Sequence, residues 1–248
     1  MRYFLELAYN GKAYHGWQYQ PNAPTVQETL EKALFTILRK ETPVVGAGRT
    51  DTGVHASQYF VHFDAEGIAD SKKFIYKLNS VLPEDIAAYD VFKVKDDAHA
   101  RFDARSRSYQ YRLSLRKDPF FVESAHHLKN EIDVDRMNRA AAILKDYKDF
   151  KCFSRSKTDV KTYNCLVTEA VWKQEEDLLV FHITADRFLR NMVRAIVGTL
   201  LEVGLGKLEV EQVHEIIKSR DRRNAGTSVP AKGLFLTGIE YPRSIVKE

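Results

Sequence analysis

Cysteine is scarce in this chain: two residues, Cys152 and Cys165, among 248. They form no CxxC pair and have no flanking histidine, which argues against a disulfide framework or a zinc site. Both are expected as small buried hydrophobes. Long apolar runs are also missing. None approaches the roughly 20 residues that a membrane helix needs. The N-terminus, MRYFLELAYNGKAYHGW, reads as a strand and lacks the apolar stretch and small-residue cleavage site of a secretory leader. The expectation is a cytoplasmic protein without a membrane segment. There is no GKS/T phosphate loop and no GxGxxG fingerprint, so no nucleotide cofactor is expected. No cluster of carboxylates accompanies the motifs below, so metal-dependent hydrolysis lacks its ligands. The expected cofactor and metal content is none.

What is present suits a folded chain with a sizeable core, as one large domain or two of ordinary size. Lysine and arginine number 38 against 34 acidic residues, a net charge of +4. That excess is too mild to identify a nucleic-acid partner by itself. Its distribution is uneven, with arginine concentrated in ARFDARSRSYQYRLSLRK, DRFLRNMVR and SRDRR. Nucleic acid would explain these clusters, and solvated edges and helix ends explain them equally well on charge alone.

RYFLELAY, Arg2 to Tyr9, has strand propensity. Thr25 and Glu28 make a capping box for a helix whose apolar face is Val26, Leu30, Ala33, Leu34, Ile37 and Leu38, with Pro43 as its stop. SQYFVHFDA alternates as a strand with Tyr59, Val61 and Phe63 on one side. DSKKFIYKLNSVLP is a second helix, and IAAYDVFKV and SRSYQYRLSL are further strands. The second half repeats this pattern: a helix capped by Asp133, strands in CLVTEAVWKQ and DLLVFHITA, a long amphipathic helix over RFLRNMVRAIVGTLLEVGLGK, another in EVEQVHEIIKSR, and a closing strand GLFLTGIEY. The expected fold is α/β (α+β): two similar halves, residues 1–105 and 106–248, each a mainly antiparallel mixed sheet with helices on one face, the sheets joined across a central cleft.

GAGRTDTGVHA, Gly46 to Ala56, fits neither a core strand nor a plain solvated turn. Gly48 and Gly53 permit positive φ and close backbone approach. An Asp in such a loop is commonly an Asx-turn residue. Here Asp51 is flanked by Thr50 and Thr52 and stands two positions from Arg49, which can hold a carboxylate ionised or engage a phosphate. On a strand, Tyr109 and Tyr111 share one face; as residues alone they read as two core aromatics. Arg194 stands among apolar residues on a helix suited to burial, where an arginine ordinarily snorkels at the core edge.

GRTDTGVHA resembles the signature of the bacterial tRNA pseudouridine synthase A family. YNGKAYHGWQYQ with TVQETLEKAL, ARFDARSRSYQYRL, FSRSKTDVKT with FLRNMVRAIVGTLLEVG, and AGTSVPAKGLFLTGIEYP resemble the family's other segments in the same order. Together they span essentially the whole chain. TYNCLVTEA departs from the pattern near Asn164, where a basic residue is expected. The resemblance implies cofactor-free isomerisation of uridine to pseudouridine in the anticodon arm of tRNA, at tRNA positions 38, 39 and 40, by a homodimer with tRNA bound across both subunits. It implies Asp51 as the catalytic carboxylate, either attacking C1′ or taking the C2′ proton. It also implies Arg194 as the cation facing Asp51, Tyr109 on the target uracil, Leu234 as an apolar wall and Arg49 as the residue that enters the space left by a flipped base. His55 is read as structural. The contrasting reading is a non-catalytic RNA-binding or RNA-folding module on the same scaffold. Asp51 speaks against it, since a carboxylate facing a polyanion weakens binding.

Overall fold

The computed structural model describes residues 1–155 and 160–247. The chain divides into two compact units, Met1–Ser106 with the C-terminal residues from Leu236, and Arg107–Phe235. Sheets throughout are mainly antiparallel.

The first unit is built on β1 (Arg2–Tyr9), β2 (Val45–Gly46), β3 (His55–Asp64) and β4 (Ile86–Val94), with helices α1 (Val26–Leu38) and α2 (Ser71–Asn79). β1 is central, antiparallel to both β3 and β4. Tyr59, Val61 and Phe63 form the fully buried side of β3 as the alternation requires. Phe63 stacks on Phe74 of α2 at 6.3 Å, so this is the helix-bearing face. The opposite side is covered as well. Phe60 packs edge-on against Tyr241 at 5.3 Å, and His62 packs against His99 at 4.7 Å. β3 therefore lacks the polar outward face that a half-exposed strand would show.

α1 begins as its sequence dictates, with the Thr25 hydroxyl accepting from the Glu28 N–H at 3.4 Å. The reciprocal arm of the box is replaced by an ion pair from Glu28 to Lys32 at 2.6 Å. The helix stops at Leu38, five residues before Pro43, because Arg39 adopts the left-handed conformation (φ 56°) and its N–H returns to the Phe35 carbonyl.

The second unit carries β5 (Ser106–Ser114), β6 (His126–His127), α3 (Val134–Ile143), β7 (Val167–Glu175), β8 (Leu178–Ala185), α4 (Met192–Gly204) and α5 (Gln212–Ser219). β8 lies between β5 and β7, antiparallel to both. Asp133 caps α3 by accepting from the Arg136 N–H at 2.8 Å. The last strand, β9 (Leu234–Glu240), opens in this unit and continues in the first, beside β3. Among the described residues, no helix is long and apolar enough to cross a membrane.

The expected long amphipathic helix is corrected in two ways. It starts only at Met192, because Asn191 is left-handed (φ 66°). Arg187 and Arg190 therefore lie in the preceding loop and do not share a helix face with Arg194. The helix is also enclosed on nearly every side rather than amphipathic: eleven of its thirteen residues are buried.

His62 supplies a pH test of the first unit. It is 5% exposed and accepts the Ala100 N–H at Nδ1. Burial, reinforced by the charge of Arg2 and by His99, lowers its pKa to about 4. A histidine depressed below its ordinary value of 6.5 favours folding above that value and opposes it as pH falls toward 4. Urea unfolding should show a loss of about 3 kcal/mol from this group between pH 6.5 and 4. The slope should flatten in His62→Gln. An identical slope in that variant would mean that His62 is not the titrating group.

Candidate active site

The loop Ala47–Val54 links β2 to β3 and is anchored along its length. The Ala47 N–H donates to the Phe60 carbonyl at 2.9 Å, the Trp17 N–H to Thr50 at 3.3 Å, the Gly53 N–H to Tyr14 at 3.3 Å and the Val54 N–H to Asp51 at 3.1 Å. The Thr50 and Tyr9 hydroxyls are bonded at 2.9 Å in a buried pair. The Tyr59 hydroxyl donates to the Gly48 carbonyl. Beneath the loop, Tyr9, Trp17 and Tyr59 pack ring against ring, with Trp17 and Tyr59 at 4.4 Å.

Two glycines make this anchoring possible. Gly53 sits at φ 76°. Gly16 has φ +91°, and a Cβ there would lie 2.4 Å from the Thr50 carbonyl oxygen. Sequence reading missed Gly16 as the partner of the motif; the glycine before Trp17 in AYHGW was the available signal. Gly48 departs from expectation: it is not left-handed, and a Cβ there would meet nothing within 4 Å.

This loop carries two of the residues singled out from the sequence. Asp51 is half-buried and Arg49 exposed. The motif's histidine, His55, is 3% exposed and accepts the Gly11 N–H at Nδ1, 3.1 Å away, which is a structural bond. Trp17 and Gly16 also give their carbonyls to the first N–H groups of α1, at Gln27 and Val26. The loop thus rests on a helix start as well as on the sheet.

The second unit holds Tyr109, Arg194 and Leu234. Tyr109 and Tyr111 differ in depth although they point the same way from β5. Tyr111 is fully buried and donates its hydroxyl to the Pro230 carbonyl at 2.9 Å. Burial drives the Tyr111 pKa well up, and the nearby Arg194 charge acts in the opposite sense. Tyr109 is half-buried, with Phe188 edge-on at 5.1 Å.

Arg194 is one of the two residues of α4 that are not fully buried. Its Nε donates to the Val229 carbonyl at 2.7 Å, and the Val229 N–H returns to the Arg194 carbonyl at 3.2 Å. Residues 225–230 run directly against α4. Gly226 donates its N–H to the Thr199 hydroxyl at 2.8 Å, and Asn191 donates to the Ser228 hydroxyl at 2.6 Å. A Cβ on Gly198 would lie 1.9 Å from the Thr227 carbonyl oxygen. Leu234 follows at the start of β9, 6% exposed, and a Cβ on its neighbour Gly233 would meet the Tyr111 ring at 2.9 Å. One segment, 225–234, thereby connects Arg194, Tyr111 and Leu234. The stretch FSRSKTDVKT, also singled out from the sequence, falls in part outside the described residues, at 156–159.

A family model described as tRNA pseudouridine synthase matches residues 7–103 and 140–242. The chain belongs to this family. It is an isomerase that converts uridine to pseudouridine in tRNA. A relative from Bacteroides fragilis, named tRNA pseudouridine synthase A, is 54% identical over 246 residues, 98% of each chain. One of the same name from Parabacteroides distasonis is 52% identical over 245 residues, 98% of this chain and 97% of its own. A more distant one from Acetivibrio thermocellus, again of that name, is 38% identical over 239 residues, 96% of this chain and 98% of its own. The matched ranges take in the Asp51 loop of the synthase and its Arg194 helix, and the similarity to these relatives runs the length of both chains.

Proposed function

We propose that this synthase modifies uridines of the tRNA anticodon arm, at tRNA positions 38, 39 and 40, with Asp51 as the catalytic carboxylate. The observation that carries the reading is the presentation of Asp51: a half-buried carboxylate on a loop whose neighbours are tied to β1, β3 and the start of α1. A mobile surface Asx-turn would not need that anchoring.

The reaction is an isomerisation. The N1–C1′ bond of the nucleotide breaks, the uracil turns, C5 bonds to C1′, the C5 proton leaves and N1 regains a proton. No electron or group donor enters. Asp51 acts on the sugar, either by attacking C1′ or by removing the C2′ proton. Both roles need an ionised carboxylate in a site from which water is partly excluded, and we assign Arg194 as the cation that sustains it. Tyr109 stacks on the uracil and takes part in removal of the C5 proton, and Leu234 is the apolar wall beside the base. Residues 1–105 thus contribute the carboxylate loop, and residues 106–248 the arginine helix and the wall. The working form is a homodimer in the cytoplasm with tRNA bound across both subunits. Incubation with unmodified tRNA, followed by mapping of pseudouridine, tests the reading. Product confined to uridines outside the anticodon arm would refute the positions.

Arg49 has a separate role in this scheme. A base within a stem is reached only by flipping it out, at a cost of a few kcal/mol, and the exposed Arg49 fills the vacated space. Arg49→Lys keeps the charge but loses the planar guanidinium. We expect a large loss in single-turnover rate on folded tRNA, with little change in affinity. The loss should shrink on a substrate whose target uridine is unpaired. Equal losses on both substrates would exclude the wedge role.

A further inference from the structure

In the first unit, a groove away from the Asp51 loop is bordered by aromatic rings that no described residue covers. It runs between α2 and β4, about 270 Å³ in volume, and is lined by Ser71, Lys72, Ile75, Tyr76, Tyr89 and Asp90. Tyr76 is 77% exposed and Tyr89 58%. Among the described residues, neither ring packs against another aromatic, and both are largely open to solvent. Two such rings on one rim are unusual for a surface with no partner, since each leaves a large apolar area in water.

The charged residues of α2 beside the groove are all lysines. Lys72, Lys73 and Lys77 are all exposed on α2, and among the described residues none forms an ion pair or a side-chain hydrogen bond. Two exposed lysines elsewhere in this unit do have carboxylate partners, Lys32 with Glu28 and Lys40 with Glu66. Asp90 lies at the far rim, with one carboxylate oxygen accepting the Val91 N–H at 2.8 Å. A carboxylate there repels phosphate but accepts from the N–H edge of a base. Aromatic rings interleaved with unpaired cations suit single-stranded nucleic acid, in which bases stack and phosphates pair with lysine.

The position fits a strand that also reaches Asp51. Phe74 of α2 packs on Phe63, and Gly48 of the loop is bonded to Tyr59; both partners lie on the same side of β3. The groove flanks β4, which is two strands from β3. With strands about 4.8 Å apart and a rise of about 3.3 Å per residue, groove and loop are some 15–20 Å apart. On the order of five or six stacked nucleotides span that distance, at about 3.4 Å per step.

We propose that the groove between α2 and β4 is a second nucleotide-binding subsite, in which an unpaired base of the bound tRNA stacks on Tyr76 and Tyr89 while Lys72, Lys73 and Lys77 hold the flanking phosphates. The inference rests on tRNA as the substrate. The test is equilibrium binding of full-length unmodified tRNA, with single-turnover pseudouridine formation at saturating enzyme measured alongside. Tyr76→Ala with Tyr89→Ala should weaken binding roughly tenfold or more, with the saturated rate unchanged. Tyr76→Phe with Tyr89→Phe should bind as wild type, since the rings remain. Lys72→Gln, Lys73→Gln and Lys77→Gln together should lower the slope of log affinity against log salt, while the tyrosine variants leave it unchanged. All these side chains are exposed, so folding is not at stake. Unchanged affinity in the double alanine variant overturns the subsite. So does a loss confined to the lysine variants, which would leave a charged surface only. A loss that tracks dissociation of a dimer in sedimentation would assign the groove to a second copy of the chain. If wild-type protein binds tRNA but leaves the anticodon arm unmodified, the proposed positions fail while the binding comparison still decides the groove.

Discussion

Asp51→Asn is expected to abolish pseudouridine formation, by on the order of 10⁴-fold, while the protein remains folded and still binds tRNA. The substitution preserves size and shape. Neighbours of Asp51 supply several contacts that fix the loop: Thr50 through Tyr9 and Trp17, Gly53 through Tyr14, and the 51–54 turn through main-chain atoms. None of them depends on the carboxylate charge, so melting temperature should stay close to wild type. What disappears is the group that can attack C1′ or take a proton from C2′. Binding should be unchanged or tighter, because one negative charge facing a polyanion is gone. Rates are read by single turnover and affinity by filter binding. Turnover at the wild-type rate would end the assignment of Asp51. Loss of both binding and melting temperature would show that the residue holds the loop rather than performing the chemistry.

Gly198→Ala is expected to be the most damaging methyl addition in the second unit. In an isolated helix, replacing glycine by alanine is favourable by about 1 kcal/mol. Here the new Cβ would sit 1.9 Å from the Thr227 carbonyl oxygen and 2.9 Å from its carbon, and both belong to backbone. The opposing residue cannot yield either, since Gly226 is itself pressed against Gly198 and the Thr199 N–H. The helix and the 225–230 segment must separate. Overpacking of this kind costs about 3 kcal/mol or more, or a fall in melting temperature of roughly 6–12 °C for a chain of this size. Activity should fall further than stability alone explains, because the displaced segment includes the Val229 carbonyl that receives Arg194 Nε and the Pro230 carbonyl that receives Tyr111. Gly204→Ala on the same helix is the control. Its Cβ meets the Met137 sulfur at 2.5 Å and Cγ at 2.7 Å, atoms of a flexible side chain rather than of backbone, so it should be milder. Equal effects at the two positions would contradict the backbone contact at Gly198.

Much of this protein is legible in its residues taken in order. β1 and β4 appear where alternation and strand propensity place them, and Thr25 and Asp133 cap the helices that follow them. These features depend on neighbours within four residues. The catalytic family is legible too, because its segments recur in order along the chain. Only the tertiary structure decided the rest. α4 begins at Met192 rather than near Arg187 because Asn191 turns left-handed, with its amide held by Ser228, 37 residues away. Tyr111 is buried and Tyr109 half-open, although both point the same way, because Pro230 lies over one and Phe188 stands edge-on to the other. Gly16 and Gly198 are indispensable not for their own turns but because backbone from Thr50 and Thr227 presses on them. Period and capping are written locally, in the covalent geometry of short stretches. Close approach between distant segments is set by which surfaces exclude water together, and no window of the sequence contains that information.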